Sequence, residues 1–408
     1  MTIWRVPYPK FGDGPGLARV GAVADRLGVS LKAFGETGAA VVGSNGKGST
    51  AAMTAALIDD GRGEVGLFTS PHLFDLNERF RIGDVDISDD ELGQHWGRVE
   101  RAIAQAGVKD KLGGFEFLFL IAADWFSSRG CARTVWEAGI GGRLDPVRLI
   151  EAKRLALTSL DFEHTELLGE TLEEIARNKL DAAPRGAHVF VSRSCDKQRD
   201  AIASHCQAQG LTCTWTEEAS APSRWGGDYQ RQNAALADAL AHDVLGAPRT
   251  ESVRNERLSR VRWPGRLEAI GQDPVVVIDV GHTPAAVEAA LAGFRAMVDT
   301  EHAVLVCGTS RDKAVEPIVA RLAPAFDVVI CASARHKGAP AALIAQHAAA
   351  ANARAEVLIA GDVSEAYRLA LARARRDGSA VYVAGGLFLA SEFKAVHLGR
   401  DPASLVFF

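Results

Sequence analysis

AAVVGSNGKGSTAAMTAALIDD, residues 39–60, decides the fold. Four apolar residues read as a buried strand, a glycine-rich turn follows, and a helical run closes the unit. A strand that feeds such a turn and then a helix is the opening step of a parallel α/β sheet. Backbone N–H groups in the turn close around phosphate oxygens, the helix N-terminus adds positive potential, and Lys47 adds a full charge. Ser49 or Thr50 is placed to reach a magnesium ion. The match to the general P-loop pattern is imperfect. That pattern wants glycine where Val41 stands, and serine or threonine directly after the lysine, where Gly48 stands. Taken alone, the turn reads either as a phosphate cradle built from Gly43, Asn45, Gly46, Lys47, Gly48, Ser49 and Thr50, or as a plain strand-to-helix turn with a solvent-exposed lysine.

Outward from this unit the alternation continues. Residues 15–29 carry an amphipathic helical pattern that ends near Gly28. Strand-like runs recur at 65–68, 134–137, 155–160 and 188–192, with helical segments between most of them. After about residue 262 the alternation restarts at 275–280, 303–308, 327–332, 355–361 and 380–386. The expectation is a mostly parallel, phosphate-binding α/β domain over residues 1–262 and a smaller Rossmann-like α/β domain over 263–408. The charged stretch 250–265, which contains Pro264, reads as the hinge.

The chain has 408 residues, a net charge of −5 and a pI of about 6.1. No basic field argues for nucleic acid. The six cysteines are scattered and none forms a CxxC pair, which argues against zinc and for reduced thiols. The longest apolar stretch, 115–126, is short and carries Glu116 and Asp124, so no membrane span is expected. The first residues, MTIWRVPYPK, lack the apolar core of a signal peptide, and the expected location is the cytoplasm.

GSNGKGST resembles the phosphate loop of the folylpolyglutamate synthase and dihydrofolate synthase family, a branch of the Mur ligases. Four further segments resemble the same family in the same order. They are LFTSPHLFDLNERFRI (67–82), FEFLFLIAADWF with WEAGIGGRLD (115–145), LTSLDFEHTELLGETLEEIARNKL (157–180), and WPGRLE with VVVIDVGHTP (263–284). The resemblance implies ATP, two magnesium sites, and small-molecule carboxylate and amino-acid or amine substrates, in a protein that is monomeric. It makes Ser49, Ser70, Glu137, His164 and Lys179 the metal-binding residues. Without it, Glu137 is equally a structural acid, His164 a structural histidine, and Ser70 part of an ordinary turn. Lys179 falls in a helical segment where a lysine is usually a solvated surface group. In the family this position carries a carbamylated lysine, an anionic oxygen donor. Gln230 and Asn233 in DYQRQNAALA resemble the family's adenine contacts, and Asn233 alone reads as a helix cap or surface amide. Arg266 is similar to a phosphate contact, and Asp279 and His282 to ribose and γ-phosphate contacts. Asp312 and Lys313 match a further pair, with a surface role as the other reading.

The reaction implied is ligation. A carboxylate attacks the γ-phosphate of ATP, and an amine then attacks the acyl phosphate, with Lys47, His164, Lys179, Arg266 and His282 as the reactive set. Departures from the family stand at Gly113, Val147, Arg148, Thr283 and Gly386. If these residues line substrate pockets, activity on dihydropteroate with glutamate is weak or absent, and a paralogous ligase for a non-folate acid or another amine is the alternative. A nucleotide switch without ligation leaves Glu137, His164 and Lys179 together without a use.

Overall fold

The computed structural model describes residues 3–217, 227–298 and 302–407. The chain forms two compact units whose main division falls between Val261 and Arg262. The first is built on an eight-stranded sheet. Its strands are β1 (Ala39–Val42), β2 (Val65–Phe68), β3 (Phe80–Ile82), β4 (Val85–Asp86), β5 (Arg133–Glu137), β6 (Arg154–Leu157), β7 (His188–Ser192) and β8 (Thr212–Thr216). Their order is β4-β3-β2-β5-β1-β6-β7-β8. The pairs among β2, β5, β1, β6, β7 and β8 are parallel, while β3 and β4 run antiparallel. β1 lies between β5 and β6 with every residue buried, as a central parallel strand covered on both faces must be.

The apolar run near residue 120 is a helix, Gly114–Ser128, buried along nearly its whole length. Its two acids are paired rather than exposed. Glu116 takes both Nε and Nη2 of Arg19, and Asp124 takes His95 and Arg98. Paired charges are tolerated inside where lone ones are not. Among the described residues no helix is long and apolar enough to cross a membrane. Trp136 on β5 is fully buried within an aromatic cluster, its ring centroid 5.4 Å from Phe34, 5.0 Å from Phe119 and 5.3 Å from Phe126.

The second unit carries β9 (Glu268–Gln272), β10 (Val275–Ile278), β11 (Ala303–Cys307), β12 (Val328–Cys331), β13 (Glu356–Ile359) and β14 (Ala380–Ala384). The order is β13-β12-β11-β14-β10-β9, parallel except for the β9–β10 pair. The chain order reverses between β11 and β14, and the crevice at such a switch point is where open α/β sheets take ligands.

Two sequence expectations need correction. The charged stretch 250–265 contains the division between the two units, but most of it is helix rather than linker. Glu251–Arg260 is a helix capped by Thr250, whose Oγ1 accepts from Val253 N, and Leu258 is its buried anchor. Its charges are a solvated face, with Arg260 paired to Glu256 one turn away. The strand expected over 155–160 stops at Leu157, because Thr158 and Ser159 turn away to bond the neighbouring glycine-rich loop.

Trp136→Ala is expected to lower the unfolding free energy of the first unit by about 3–5 kcal/mol, the usual cost of emptying an aromatic core site. Urea unfolding followed by circular dichroism measures it.

Candidate functional site

Parallel order brings the carboxyl ends of β2, β5, β1 and β6 side by side, and every loop that leaves them carries residues of the site. The loop after β1 turns on two glycines with positive φ, Gly43 at 148° and Gly46 at 84°. Neither position has room for a side chain. A Cβ on Gly43 would lie 1.9 Å from Thr158 Oγ1, and one on Gly46 would lie 2.5 Å from Asn233 Oδ1. The loop is fastened to β6 by Thr158 Oγ1, which donates to Asn45 O at 2.6 Å, and by Asn45 N, which donates to Ser159 Oγ at 2.8 Å. Ser44 N donates to Ser159 O at 2.9 Å. The helix Lys47–Ile58 starts directly from this loop, and Gly48, Ser49 and Thr50 form its buried first turn.

Lys47 is not a free surface lysine. Its Nζ donates to Gly43 O at 2.9 Å and to Ser44 O at 3.2 Å, so the ammonium is folded back over the loop. Lys179 reaches the same carbonyl from the helix Leu172–Leu180, with Nζ 3.0 Å from Gly43 O and 2.7 Å from Glu163 Oε1. Only 1% of its surface is exposed, which corrects the reading of this position as a solvated one. Burial pulls the Lys179 ammonium down to about 8, against the opposing pull of Glu163. Burial raises Glu163, but Lys47 and Lys179 outweigh it and hold the carboxyl at about 2. Unmodified Lys179 offers donors and no acceptor, so it does not fit a metal as it stands.

Glu137 closes β5 and is buried at 4% exposure, with Oε2 accepting from Ser70 N at 2.8 Å. The hard carboxylate oxygens of Glu137 and the hydroxyls of Ser70 and Ser49 are the donor set magnesium prefers. Among the described residues no three His, Cys, Asp or Glu side chains form a ready metal cluster. Magnesium suits that arrangement because it keeps waters and phosphate oxygens in its shell. His164 stands in the left-handed region at φ 45°, strain of the kind concentrated at functional sites, with Nδ1 3.9 Å from Glu166.

Asp145 holds the turn after Glu137. Its Oδ2 accepts from Gly139 N and Ile140 N, its Oδ1 from Val147 N, and burial lifts its carboxyl to about 6. Asn233, from the helix Asp228–Leu245, sits against the glycine-rich loop. It accepts from Thr50 Oγ1 at 3.3 Å and donates to Gln230 Oε1 at 2.9 Å.

In the second unit Arg266, Asp279 and His282 share the end of β10. Asp279 is buried, and its two oxygens accept from Leu267 N at 3.0 Å and Gly281 N at 2.7 Å. It therefore staples the Arg266–Leu267 turn, with the Arg266 charge beside it. His282 Nδ1 lies 3.3 Å from Val280 O. Asp312 and Lys313 stand on the loop after β11, where Lys313 N donates to Ser310 O.

Sequence reasoning missed Glu163, Asp161 and Asp145. Asp161 and Glu163 both precede the histidine in LDFEH, and a run of oxygen donors directly after a strand was the available signal. Asp161 Oδ2 is buried without a hydrogen-bond partner, which fits a cation nearby. Nothing marked Asp145, whose importance comes from burial.

Residues 265–387 match the family model described as Mur ligase, glutamate ligase domain. The chain is 32% identical over 378 residues to a probable bifunctional folylpolyglutamate synthase/dihydropteroate synthase of Halobacterium salinarum, covering 86% of this chain and 46% of that protein. It is 30% identical over 311 residues to the folylpolyglutamate synthase of Saccharomyces cerevisiae, covering 67% of this chain and 56% of the relative. The chain thus spans about half the length of the curated relatives it matches. Among solved structures it is similar to Mycobacterium tuberculosis folylpolyglutamate synthase complexed with ADP, at 25% identity, a TM-score of 0.86 and 96% coverage of both chains. It is also similar to the bifunctional folylpolyglutamate synthase/dihydrofolate synthase of Yersinia pestis complexed with AMPPNP and a manganese ion. There the identity is 25% and the TM-score 0.81, over 96% of this chain and 95% of that one.

Gly43→Ala forces a methyl group onto Thr158 in a backbone region that side chains avoid. The expected result is a folded protein whose affinity for ADP falls about tenfold or more, because strain of roughly 1–3 kcal/mol is relieved by moving the loop. Calorimetric titration with ADP measures it.

Proposed function

We propose that this chain, which belongs to the folylpolyglutamate synthase and dihydrofolate synthase family, is an ATP-dependent ligase that forms an amide through an acyl phosphate. The observation that carries the reading is the convergence of Lys47, Lys179 and Glu163 on the glycine-rich loop at the end of β1, with Glu137 buried at the end of the adjacent strand β5. A switch that only binds nucleotide has no use for this concentration of buried charge.

The loop amides and Lys47 bind the phosphates of ATP. Glu137 with Ser70 and Ser49 would hold one magnesium ion and His164 would help hold a second, and such ions would supply positive charge to neutralise the phosphates. A carboxylate oxygen of the acid attacks the γ-phosphorus in line, the bond to the β,γ-bridging oxygen breaks, and ADP leaves. The amine of the second substrate then attacks the acyl carbon, phosphate departs, and the amine loses a proton. Arg266, Asp279 and His282 serve the nucleotide's phosphates and ribose in this reading. A cytoplasmic, monomeric enzyme acting on small molecules completes it.

For the substrates we assign first a folate-type acid and glutamate. Two of the five departures from the family are explained by folding. Val147 is buried and supplies an amide to Asp145, and Thr283 Oγ1 caps the helix Pro284–Met297 through Ala286 N. The expectation that all five line substrate pockets is set aside for these two. Gly386 is different: it is buried, but a Cβ there would make only ordinary contacts, the nearest 3.8 Å from Gly308 O, so packing does not demand glycine and a second reading, a ligase for another amine, stands beside the first. ADP release is to be assayed with dihydropteroate or tetrahydrofolate plus glutamate, with Lys47→Ala as the control. Turnover on the order of 1 per second or more is expected for the wild type and none for the variant. Intact ADP binding without turnover on these acids moves the assignment to the second reading. Turnover by folded Lys47→Ala sinks the phosphate-loop role.

The resemblance also makes Lys179 a carbamate, and its environment supports that chemistry. With a pKa of about 8, roughly a quarter of its amines are neutral at pH 7.5, against about 0.1% for an ordinary lysine. The neutral nitrogen attacks carbon dioxide, an N–C bond forms, one C=O opens to a carboxylate, and the amine proton goes to solvent. The carbamate and Glu163 are then adjacent anions, which calls for a divalent cation between them. With excess 13C-bicarbonate, a carbamate signal is expected that rises as pH increases through about 8, grows with Mg2+ and disappears in Lys179→Ala. Its absence in the presence of Mg2+ and ADP removes this part of the proposal.

A further inference from the structure

The helix that follows the glycine-rich loop, Lys47–Ile58, is gripped at both ends by one later segment, residues 228–260. At the loop end Asn233 fills the hollow over Gly46 and accepts from Thr50 Oγ1 at 3.3 Å. At the far end stands Arg249, on the connection between the helices Asp228–Leu245 and Glu251–Arg260. Its Nε donates to Leu57 O at 3.1 Å and its Nη2 to Asp59 O at 2.9 Å. The last carbonyls of a helix lack partners within it and form its negative pole, so a guanidinium there suits both geometry and charge. Arg257 adds an ion pair to Asp59 Oδ2 at 3.4 Å, and Arg133 at the start of β5 takes both oxygens of Asp60.

An anchor positions a helix only if it is itself held. The helix Asp228–Leu245 is bolted to the sheet by Asp243, which accepts from Arg154 Nε on β6 at 2.7 Å and pairs with His188 Nδ1 on β7 at 2.9 Å. Arg254 ties the helix Glu251–Arg260 to Asp238 at 3.4 Å, and Leu258 on that helix is fully buried. Arg249 thus stands between two fixed helices. The helix it grips is smooth. Its sequence, KGSTAAMTAALI, is mostly glycine, serine, threonine and alanine, and it is buried along nearly its whole length. Small side chains make low ridges, so packing resists sliding along the axis weakly and polar ties set the register.

We propose that Arg249 is a positioning residue for the phosphate loop: by holding the far carbonyls it fixes the axial register of the helix Lys47–Ile58, and with it the place of the amides that begin the helix. It acts over the length of that helix, about 18 Å for its twelve residues, and touches no ligand in this scheme. A displacement of about 1 Å at a site can cost on the order of 100-fold. The hold on the loop rests on the bonds above; its bearing on nucleotide rests on the reading of the loop as a phosphate site.

The full chain is compared with three variants. Arg249→Met keeps the stem and loses the fork, and Arg249→Lys keeps a cation. Ile202→Val trims the core in the helix Arg199–Gln209, which carries no residue of the site, and serves as a control for lowered stability. Amide hydrogen exchange without ligand and calorimetric titration with ADP and Mg2+ are the readouts. In Arg249→Met, exchange is expected to quicken at residues 44–50 as well as at 55–60, and ADP affinity to fall about tenfold. Arg249→Lys loses less in both, and takes the place of the methionine variant if that one does not fold. Ile202→Val changes neither. Faster exchange confined to 55–60, with wild-type ADP affinity, shows a local helix cap and overturns the proposal. An equal effect from Ile202→Val reduces it to lost stability and overturns it too. If the wild type binds no ADP, the phosphate-loop reading fails, and exchange at 44–50 alone decides whether Arg249 sets the loop.

Discussion

Two lysine amines converge on a single peptide carbonyl, that of Gly43, at 2.9 and 3.0 Å. Such a meeting of cations is stable only beside compensating anions, and the first unit supplies them. Glu163 pairs with Lys179, and Asp145 adds a more distant negative charge that acts on both lysines. The glycines that let the loop pass under Thr158, the early end of β6 and the turn built on Asp145 all follow from bringing these groups together. On the proposed reading, a phosphate chain entering the loop would offer Lys47 a better partner than a neutral carbonyl.

The fold was largely legible because its signals are periodic. A short all-apolar strand, a glycine turn and a helix repeat through both units, and strands such as His188–Ser192 coincide with the apolar runs that suggested them. The unrecognised strands lack that signal. Thr212–Thr216 is a half-exposed edge strand, Val85–Asp86 has two residues, and Glu268–Gln272 is polar with a glycine inside. They are strands because a neighbour offers hydrogen bonds, which is tertiary information.

The site was legible in its loop and illegible in its supports. Lys47 announces itself by its glycines. Lys179 sits in a helix that local pattern would leave in solvent, and only three-dimensional packing buries it at 1% exposure. Asp145 belongs to the same class: an ordinary charge in sequence that becomes decisive once water is removed. Asp279 has a structural part that the sequence did not show, since both of its oxygens are engaged by backbone amides and shape the turn that carries Arg266.

The hollow over Gly46 is filled by Asn233, a residue 183 positions beyond its partner Thr50. This gives the phosphate loop a history as well as a shape. On the ribosome, strand β1 and its glycines emerge long before the amide that completes them. At roughly 5–20 residues per second, about 10–40 s separate the two events. A nascent chain therefore carries a loop with one wall missing, and nucleotide can reward folding only after the helix Asp228–Leu245 has been made and docked. The docking of that helix, rather than the emergence of the loop, thus sets when a ligand can first stabilise the chain.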